Sequence, residues 1–219
     1  MTTEAGTTWT IVVAAGSGSR FGGDVPKQFL EIAGKRVVDW SVVAASSVSD
    51  GVVVVVPRGS SVRVSGRGLP CEVVCVTGGA TRSDSVRCGL AQVPDAAQVV
   101  LVHDAARPVA SPALMSEVVA AVRHGADAAV PVVGVVDTIR DLAGNNIDRS
   151  QLQAVQTPQG FSAGALRQAH ATGSQATDDA TLVQAVGGST VTVPGERWNI
   201  KVTEPDDAIV VAALLGARS

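Results

Sequence analysis

The sequence predicts a single α/β domain, a Rossmann-like three-layer sandwich in which a mostly parallel sheet lies between two layers of helices. Short apolar runs rich in Val alternate with segments of helical periodicity, the pattern of a parallel sheet covered on both faces. No change of composition along the 219 residues marks a second domain. A chain of this length can bury about 70% of its unfolded surface, so we expect one domain over residues 1–219.

Six apolar runs have the length and the β-branched composition of buried strands. Glycine, proline or polar residues lie between these runs and the helical segments, so each run is short enough to cross a sheet once. The predicted strands are 10–14, 52–56, 72–76, 99–103, 128–133 and 190–193.

Segments of helical period fill the intervals between these strands and follow the last one. Two of them carry start signals: Ser111 places a capping hydroxyl before Pro112, and Asp178 with Asp179 places acids at a helix N-terminus. The predicted helices lie near 36–47, 82–92, 111–124, 162–171, 178–186 and 205–216.

The stretch 135–157 departs from this alternation. Two polar, partly alternating segments flank Gly144-Asn145-Asn146, which is typical of a hairpin turn. Since a hairpin this polar cannot form its own core, we expect a β-arm that projects from the domain.

Composition excludes several classes of partner. The net charge is −3 and aromatic residues make up 3% of the chain, so a basic, aromatic surface for nucleic acid is absent. The longest apolar runs, such as 52–56, are too short to span a membrane, and residues 1–8 resemble no secretory signal. Cys71, Cys75 and Cys88 lack a metal-ligand spacing and are interpreted as small buried residues. We expect a cytoplasmic protein.

A glycine-rich loop, AAGSGSRFG at 14–22, follows the first strand. Small residues let backbone N–H groups approach a phosphate, and ligands of open α/β sheets gather at the carboxyl ends of the strands. The loop is not a dinucleotide fingerprint, because Phe21 stands where a third glycine is needed, and Gly23 lacks the following lysine of a P-loop.

Two cations accompany this loop, Arg20 within it and Lys27 after Pro26. Fixed positive charges beside backbone N–H groups suit a triphosphate whose α-phosphorus gains charge as it is attacked. From these residues alone, a surface turn with solvated charges is an equal alternative.

Further polar residues follow later strands at the same predicted edge. Asp104 ends the fourth strand, where a carboxylate could hold Mg²⁺ or a substrate hydroxyl, and Arg107 would then face an anion. His103 is interpreted as structural. Gly78-Gly79 before the segment 82–85 forms a second glycine turn that opens a helix. The alternatives are a turn-capping aspartate with a solvated arginine, and a plain capping segment.

The order of these motifs resembles the 2-C-methyl-D-erythritol 4-phosphate cytidylyltransferase family of the non-mevalonate isoprenoid pathway. The likeness covers nearly the whole chain and includes the glycine-rich loop, HDAARP at 103–108, TPQ at 157–159, TDD at 177–179 and NIKVT at 199–203. It implies CMP transfer from CTP to methylerythritol phosphate, with Mg²⁺ as cofactor and a homodimer formed through the β-arm.

The resemblance also implies roles for individual residues, with base and ribose recognised near Ala14, Ala15, Gly79 and Ser85. In the family, each arm places a threonine and an arginine in the partner's active site, positions that match Thr138 and Arg149. The expected catalytic residues are Arg20, Lys27, Arg149 and Lys201. The expected nucleotide-binding residues are Ala14, Ala15, Gly16, Gly18, Arg20, Lys27, Gly79, Arg82, Ser85 and Ala105. The expected acceptor-binding residues are Asp104, Arg107, Thr138, Arg149 and Lys201, with Asp104 as the metal ligand.

Two other functions stay open at this point. Ribitol 5-phosphate cytidylyltransferases share the glycine-rich loop and the TPQ segment, although Ala105-Ala106 favours the methylerythritol enzyme. A CTP-binding sensor without chemistry is the second alternative. The pair Arg20 and Lys27 argues against it, because binding alone does not require a second cation at the α-phosphate.

Overall fold

The computed structural model describes residues 6–16, 21, 26–60 and 62–217, so Gly18 and Arg20 lie outside the described residues. The strands are β1 (Thr8–Val13), β2 (Glu31–Ile32), β3 (Lys35–Arg36), β4 (Gly51–Val56), β5 (Glu72–Thr77), β6 (Val99–Asp104), β7 (Ala128–Gly134), β8 (Ile139–Arg140), β9 (Asn146–Ile147), β10 (Gln153–Val155), β11 (Gln159–Ser162) and β12 (Thr190–Pro194). The α-helices are α1 (Val37–Ser46), α2 (Arg82–Leu90), α3 (Pro112–Arg123), α4 (Ala163–Ala171), α5 (Asp179–Ala185) and α6 (Pro205–Gly216). Every predicted strand and helix is present.

One mixed sheet of eight strands forms the centre of the fold, in the order β5-β4-β1-β6-β11-β7-β10, with β12 on the other edge of β7. β1 pairs in parallel with β4 and β6, β4 with β5, and β7 with β12. Only β10 and β11 run antiparallel to their neighbours. The predicted class, an α/β fold with a mostly parallel sheet between helices, is confirmed.

The central strands β1, β4 and β6 are buried on both faces, which explains the continuous runs of valine. Side chains alternate across the sheet: Ile11 and Val53 pack in the cluster on one face, whereas Val12 and Val54 pack in the cluster on the other. All four side chains are fully buried. The helices that cover the two faces therefore hold the carboxyl ends of β1, β4 and β6 in fixed positions.

Polar side chains start the helices as the sequence predicts. Ser111 Oγ accepts a hydrogen bond from the backbone N–H of Leu114 at 3.0 Å, and Asp178 caps α5 by accepting one from Thr181 at 3.0 Å. Thr81 and Asp84 form a reciprocal capping box at the start of α2. This box fixes the first turn of α2 beside the end of β5.

The predicted hairpin is present as β8 and β9, which pair Ile139 with Ile147. The turn differs in register from the prediction, because Asn146 already belongs to β9. Asp141 closes the turn by accepting hydrogen bonds from the backbone N–H of Asn145 at 2.8 Å and from its Nδ2 at 2.9 Å. Further along the stretch 135–157, β10 pairs with β7 and so belongs to the main sheet.

Two other expectations concern the whole chain. The three cysteines, Cys71, Cys75 and Cys88, are free thiols, and each is half-buried, whereas small buried residues were expected. None of the helices in the described part of the chain is long and apolar enough to cross a membrane.

Candidate active site

A cavity of about 450 Å³ opens at the carboxyl edge of the sheet, between the ends of β1, β5 and β6. This is the edge at which ligands of open α/β sheets bind. Nine of the residues expected from the sequence line it together: Ala14, Ala15, Gly16, Lys27, Gly79, Arg82, Ser85, Asp104 and Lys201.

The first wall of the cavity is the start of the glycine-rich loop, at 14–16. The N–H of Ala14 donates to Val55 O at 2.8 Å, which continues the pairing of β1 with β4. On the other side, Gln28 Nε2 donates to Ala14 O and to Gly16 O, both at 2.8 Å. Sequence analysis did not select Gln28, although its place beside Lys27 could have suggested it.

The second wall is the glycine turn that leads into α2. A Cβ on Gly79 would lie 2.2 Å from Asp84 Cβ, and one on Gly78 would lie 2.6 Å from Ala15 Cβ, so both positions require glycine. The N–H of Gly79 donates to Ser85 Oγ at 3.2 Å, and that hydroxyl donates to Thr81 O at 2.9 Å. The two glycine segments are therefore packed side by side around the cavity.

A chain of charged groups forms the floor of the site. Lys201 Nζ lies 2.6 Å from Asp104 Oδ2, and Arg82 Nε lies 3.6 Å from Asp104 Oδ1. Arg82 Nη1 also pairs with Asp179 Oδ2 at 2.7 Å, and Asp179 Oδ1 lies 3.0 Å from His170 Nε2. No sequence pattern indicated the Asp179–His170 pair, which is buried behind the cavity.

The environment of Asp104 keeps its carboxyl group ionised. Burial opposes ionisation, but the charges of Lys201 and Arg82 outweigh it and hold the pKa of Asp104 at about 2. Lys27 contributes a further ammonium group, whose Nζ donates to Val202 O at 2.6 Å. The described part of the cavity thus combines three cations with one fixed carboxylate.

The donor set around this carboxylate is compatible with Mg²⁺. Among the described residues, no group of three or more His, Cys, Asp or Glu side chains comes together. Mg²⁺ bound with a nucleotide commonly takes only one or two protein carboxylates, its other ligands being phosphate oxygens and water. Asp104 is ionised and lines the cavity, so it fits the role of the single protein ligand.

His103 has a structural position, in agreement with its interpretation from the sequence. Burial lowers its pKa to about 4. As a neutral ring it donates from Nε2 to Arg107 O and accepts at Nδ1 from Thr157 Oγ1, both at 3.2 Å. The same hydroxyl accepts from the N–H of Asp104 at 3.0 Å, so Thr157 fixes the end of β6.

Outside the β-arm, two described residues that were expected in the site do not line the cavity. Ala105 is buried in the core below it, and Ala106 takes the lining position. Arg107 was expected to face an anion, but its guanidinium group turns toward the segment after β12 and donates from Nη1 to Asn199 O at 2.7 Å. Arg107 therefore holds the backbone two residues before Lys201.

The residues of the β-arm lie around a different cavity. Thr138 and Arg149 line a space of about 260 Å³ together with Asn146, Ile147 and Asp148. Arg149 Nη1 donates to Val136 O, and Asp148 caps the short helix that begins at Arg149. A single chain does not bring these two residues to the wall of the main cavity.

The fold and the cavity define the class of the nucleotidyltransferases, in which backbone amides hold a nucleotide and cations face its phosphates. A protein-family model described as IspD, 2-C-methyl-D-erythritol 4-phosphate cytidylyltransferase, matches residues 8–217. The chain belongs to this family.

Similar proteins agree over the length of the chain. The 2-C-methyl-D-erythritol 4-phosphate cytidylyltransferase of Saccharopolyspora erythraea is 45% identical over 219 residues, covering 94% of this chain and 97% of that protein. The bifunctional enzyme IspD/IspF of Dinoroseobacter shibae is 43% identical, and the match covers 95% of this chain but only 54% of that longer protein. A crystal structure of the cytidylyltransferase from Thermus thermophilus matches with a TM-score of 0.80 and 36% identity, covering 98% of this chain and 100% of that chain.

Proposed function

We propose that this chain transfers CMP from CTP to 2-C-methyl-D-erythritol 4-phosphate in the non-mevalonate route to isoprenoid precursors. An oxygen of the acceptor phosphate bonds to the α-phosphorus of CTP, the bond from that phosphorus to the β-phosphate breaks, and pyrophosphate leaves. The product is 4-diphosphocytidyl-2-C-methyl-D-erythritol. The observation that carries the proposal is the cavity that the loop backbone at 14–16 lines together with Lys27 and Lys201.

The two glycine segments bind CTP together. The turn at Gly79 and the hydroxyl of Ser85 receive the base and ribose with the backbone of Ala14 and Ala15. The loop backbone up to Gly16 also receives the phosphates, because small residues leave its N–H groups accessible. Arg82 lies between these walls and contributes positive charge to the nucleotide site.

The transfer requires no covalent intermediate with the protein, since phosphoryl transfer depends mostly on positioning and charge stabilisation. The cations of the site supply both. Lys27 stabilises the charge that develops at the α-phosphorus, and Arg20, outside the described residues, shares this role. Lys201 orients the acceptor phosphate and offsets the repulsion between the two anions. Asp104 would hold Mg²⁺ together with the nucleotide, and the metal would supply further neutralisation of negative charge.

We propose that the acceptor site is completed by the β-arm of a second copy of the chain. Thr138 and Arg149 bind the acceptor phosphate in this arrangement. Within their own chain they line a separate cavity, which supports a role in the site of a second copy. The exposed apolar side chains of the arm region, among them Val136 and Ile147, support burial against another surface. We expect the dimer to work in the cytoplasm, which agrees with the free thiols.

The direct test is pyrophosphate release from CTP and Mg²⁺, with methylerythritol phosphate and ribitol 5-phosphate assayed side by side. Release with methylerythritol phosphate alone is the expected result. Release with ribitol 5-phosphate would change the acceptor while keeping the nucleotide site. Saturable binding of CTP with no release from either acceptor would contradict the proposed chemistry and favour a sensor.

Subunit complementation tests the shared site. We expect Lys27→Ala and Arg149→Ala homodimers each to have very low activity. In a mixed dimer, the intact Lys27 of one chain meets the intact Arg149 of the other, so co-refolded chains should recover about a quarter of the wild-type activity. If Arg149 acts within its own chain, mixing restores nothing.

A further inference from the structure

We propose that Gln28 is the positioning residue of the phosphate-binding backbone: its side-chain amide holds the carbonyl groups of Ala14 and Gly16, so that the loop presents N–H groups to the ligand. This inference rests on the proposed function, in which the ligand is the triphosphate of CTP. It assigns to Gln28 a role that is separate from the cations around the site.

The hydrogen bonds of Gln28 use the full donor capacity of its amide. Nε2 carries two hydrogens and lies 2.8 Å from Ala14 O and 2.8 Å from Gly16 O. The side chain is only 3% exposed, so water cannot replace it at these carbonyls without a rearrangement. A buried carbonyl that loses its partner is destabilised, and the loop would relax to recover one.

Because the peptide bond is planar, the hydrogen bonds from Gln28 to the carbonyl groups also determine the direction of the neighbouring N–H groups. In a trans peptide the C=O and the following N–H point to opposite sides. Since Ala14 O is bound to Gln28, the N–H of Ala15 points away from Gln28. Among the described residues, the N–H groups of Ala15 and Gly16 have no hydrogen-bond acceptor, although both residues line the cavity.

A further observation indicates that an anion belongs at these amides. A Cβ built on Gly16 meets no described atom within 4 Å, so the glycine leaves open space at this point of the wall. Successive N–H groups that converge on such a space form a site for an anion, whereas a carbonyl turned into it would repel a phosphate. Gln28 keeps two carbonyls occupied and thereby selects the first arrangement.

The position of Gln28 in the chain adds to this effect. It follows Lys27 in the short helix Lys27–Phe29, and Lys27 Nζ donates to the backbone O of Val202, beside Lys201. Neighbouring residues therefore hold the backbone on two sides of the cavity. A change at Gln28 should disturb the phosphate side more than the base side, where Gly79 and Ser85 are held by their own hydrogen bond.

The test compares a ligand with phosphates to one without. Gln28→Met keeps the volume and the neutral charge of the side chain but removes both donors. We expect the Kd for CTP, measured by calorimetry, to rise about tenfold or more, in line with the loss of two hydrogen bonds. The Kd for cytidine, measured by NMR titration, should change less than about twofold, because cytidine has no phosphate for the N–H groups of Ala15 and Gly16 to hold.

The matched control is Gln168→Met, the same substitution at an exposed position on α4, which should change neither Kd. Equal weakening of CTP and cytidine in Gln28→Met would show a merely structural role and overturn the inference, as would an unchanged Kd for CTP. If Gln28→Met does not fold, Gln28→Asn, which keeps the amide but cannot reach both carbonyls, is expected to give the same selective loss for CTP. Failure of the wild-type protein to bind CTP would instead contradict the proposed function.

Discussion

The buried carboxylate of Asp179 offers the sharpest test of how the site is held together. It is fully buried and shared between Arg82 Nη1 at 2.7 Å and His170 Nε2 at 3.0 Å. Asp179→Asn keeps the shape of the side chain but removes its charge, and one of the two donors must then face the NH2 group of the amide, which cannot accept a hydrogen bond. The variant therefore removes the charge and one hydrogen bond without opening a cavity.

The expected loss of stability in Asp179→Asn follows from the surroundings of Arg82. Removing one partner of a buried ion pair costs about 3–5 kcal/mol. Arg82 retains Asp104 at 3.6 Å and its side chain is 24% exposed, which favours the lower end of that range. We therefore expect the free energy of unfolding to fall by about 3 kcal/mol, which corresponds to a decrease in Tm of roughly 6–12 °C for a domain of this size.

Activity should change as well, because Arg82 lines the nucleotide cavity. Without Asp179 the guanidinium group shifts toward Asp104 and competes with Lys201 for the same carboxylate. We expect the KM for CTP to rise about tenfold, the effect of losing about 1.4 kcal/mol of binding. Urea unfolding and pyrophosphate-release kinetics on the same preparations measure the two effects.

A double-mutant cycle decides whether the pair itself is responsible. Arg82→Met removes the guanidinium group but keeps the aliphatic part of the side chain. If the ion pair matters, Asp179→Asn should cost far less in this background, with a coupling of about 2 kcal/mol or more. Additive losses, within about 0.5 kcal/mol, would refute the argument and assign the instability to packing around His170.

Three further predictions concern individual positions. Lys27→Ala should lower kcat by about two orders of magnitude or more, because it removes one charged contact to the transition state. The control is Lys35→Ala, at a lysine that lies over the ring of Trp40, which should leave kcat unchanged. Equal kcat values in the two variants would contradict the role of Lys27. Gly16→Ala should weaken CTP binding without lowering Tm, because the added methyl group fills the open space beside Gly16. Gly164→Ala in α4 should affect only Tm. Normal CTP binding in Gly16→Ala would argue against a phosphate in the space beside Gly16. Because burial lowers the pKa of His103 from 6.5 to about 4, the unfolded chain is protonated first on acidification, so about 3 kcal/mol of stability should be lost between about pH 6.5 and pH 4. Chemical unfolding across that range should show a shallower pH dependence in His103→Gln, and parallel curves would contradict the burial argument.

Most strands of the main sheet could be predicted because each is indicated by its own short run of residues. Five valines in succession at 52–56 leave few alternatives to a strand buried on both faces, and all are buried in β4. β11 could not be predicted in this way. Its sequence, Gln-Gly-Phe-Ser, has neither periodicity nor a run of β-branched residues, and it becomes a strand because β6 and β7 leave a place between them.

The candidate site likewise contains residues that the sequence predicts and contacts that it does not. The strand-end rule brought Ala14–Gly16 and Asp104 to one edge from sequence alone. The partners of these groups come from distant segments: Lys201 reaches Asp104 across 97 residues, and Asp179 reaches Arg82 across 97 residues. The hydrogen bond of Arg107 could not be predicted for a related reason, because its acceptor is a backbone carbonyl, Asn199 O, which no side-chain pattern reports.

The three described cations of the cavity share one property that bears on catalysis. Lys27 is held by a backbone carbonyl, Lys201 by Asp104, and Arg82 by Asp104 and Asp179. A cation that is already fixed loses little side-chain entropy when the phosphates arrive, and it keeps its place while charge develops in the transition state. Folding therefore supplies the free energy that places these charges. For this reason the buried pair Asp179–His170 behind Arg82 should influence the KM for CTP although it does not contact the nucleotide.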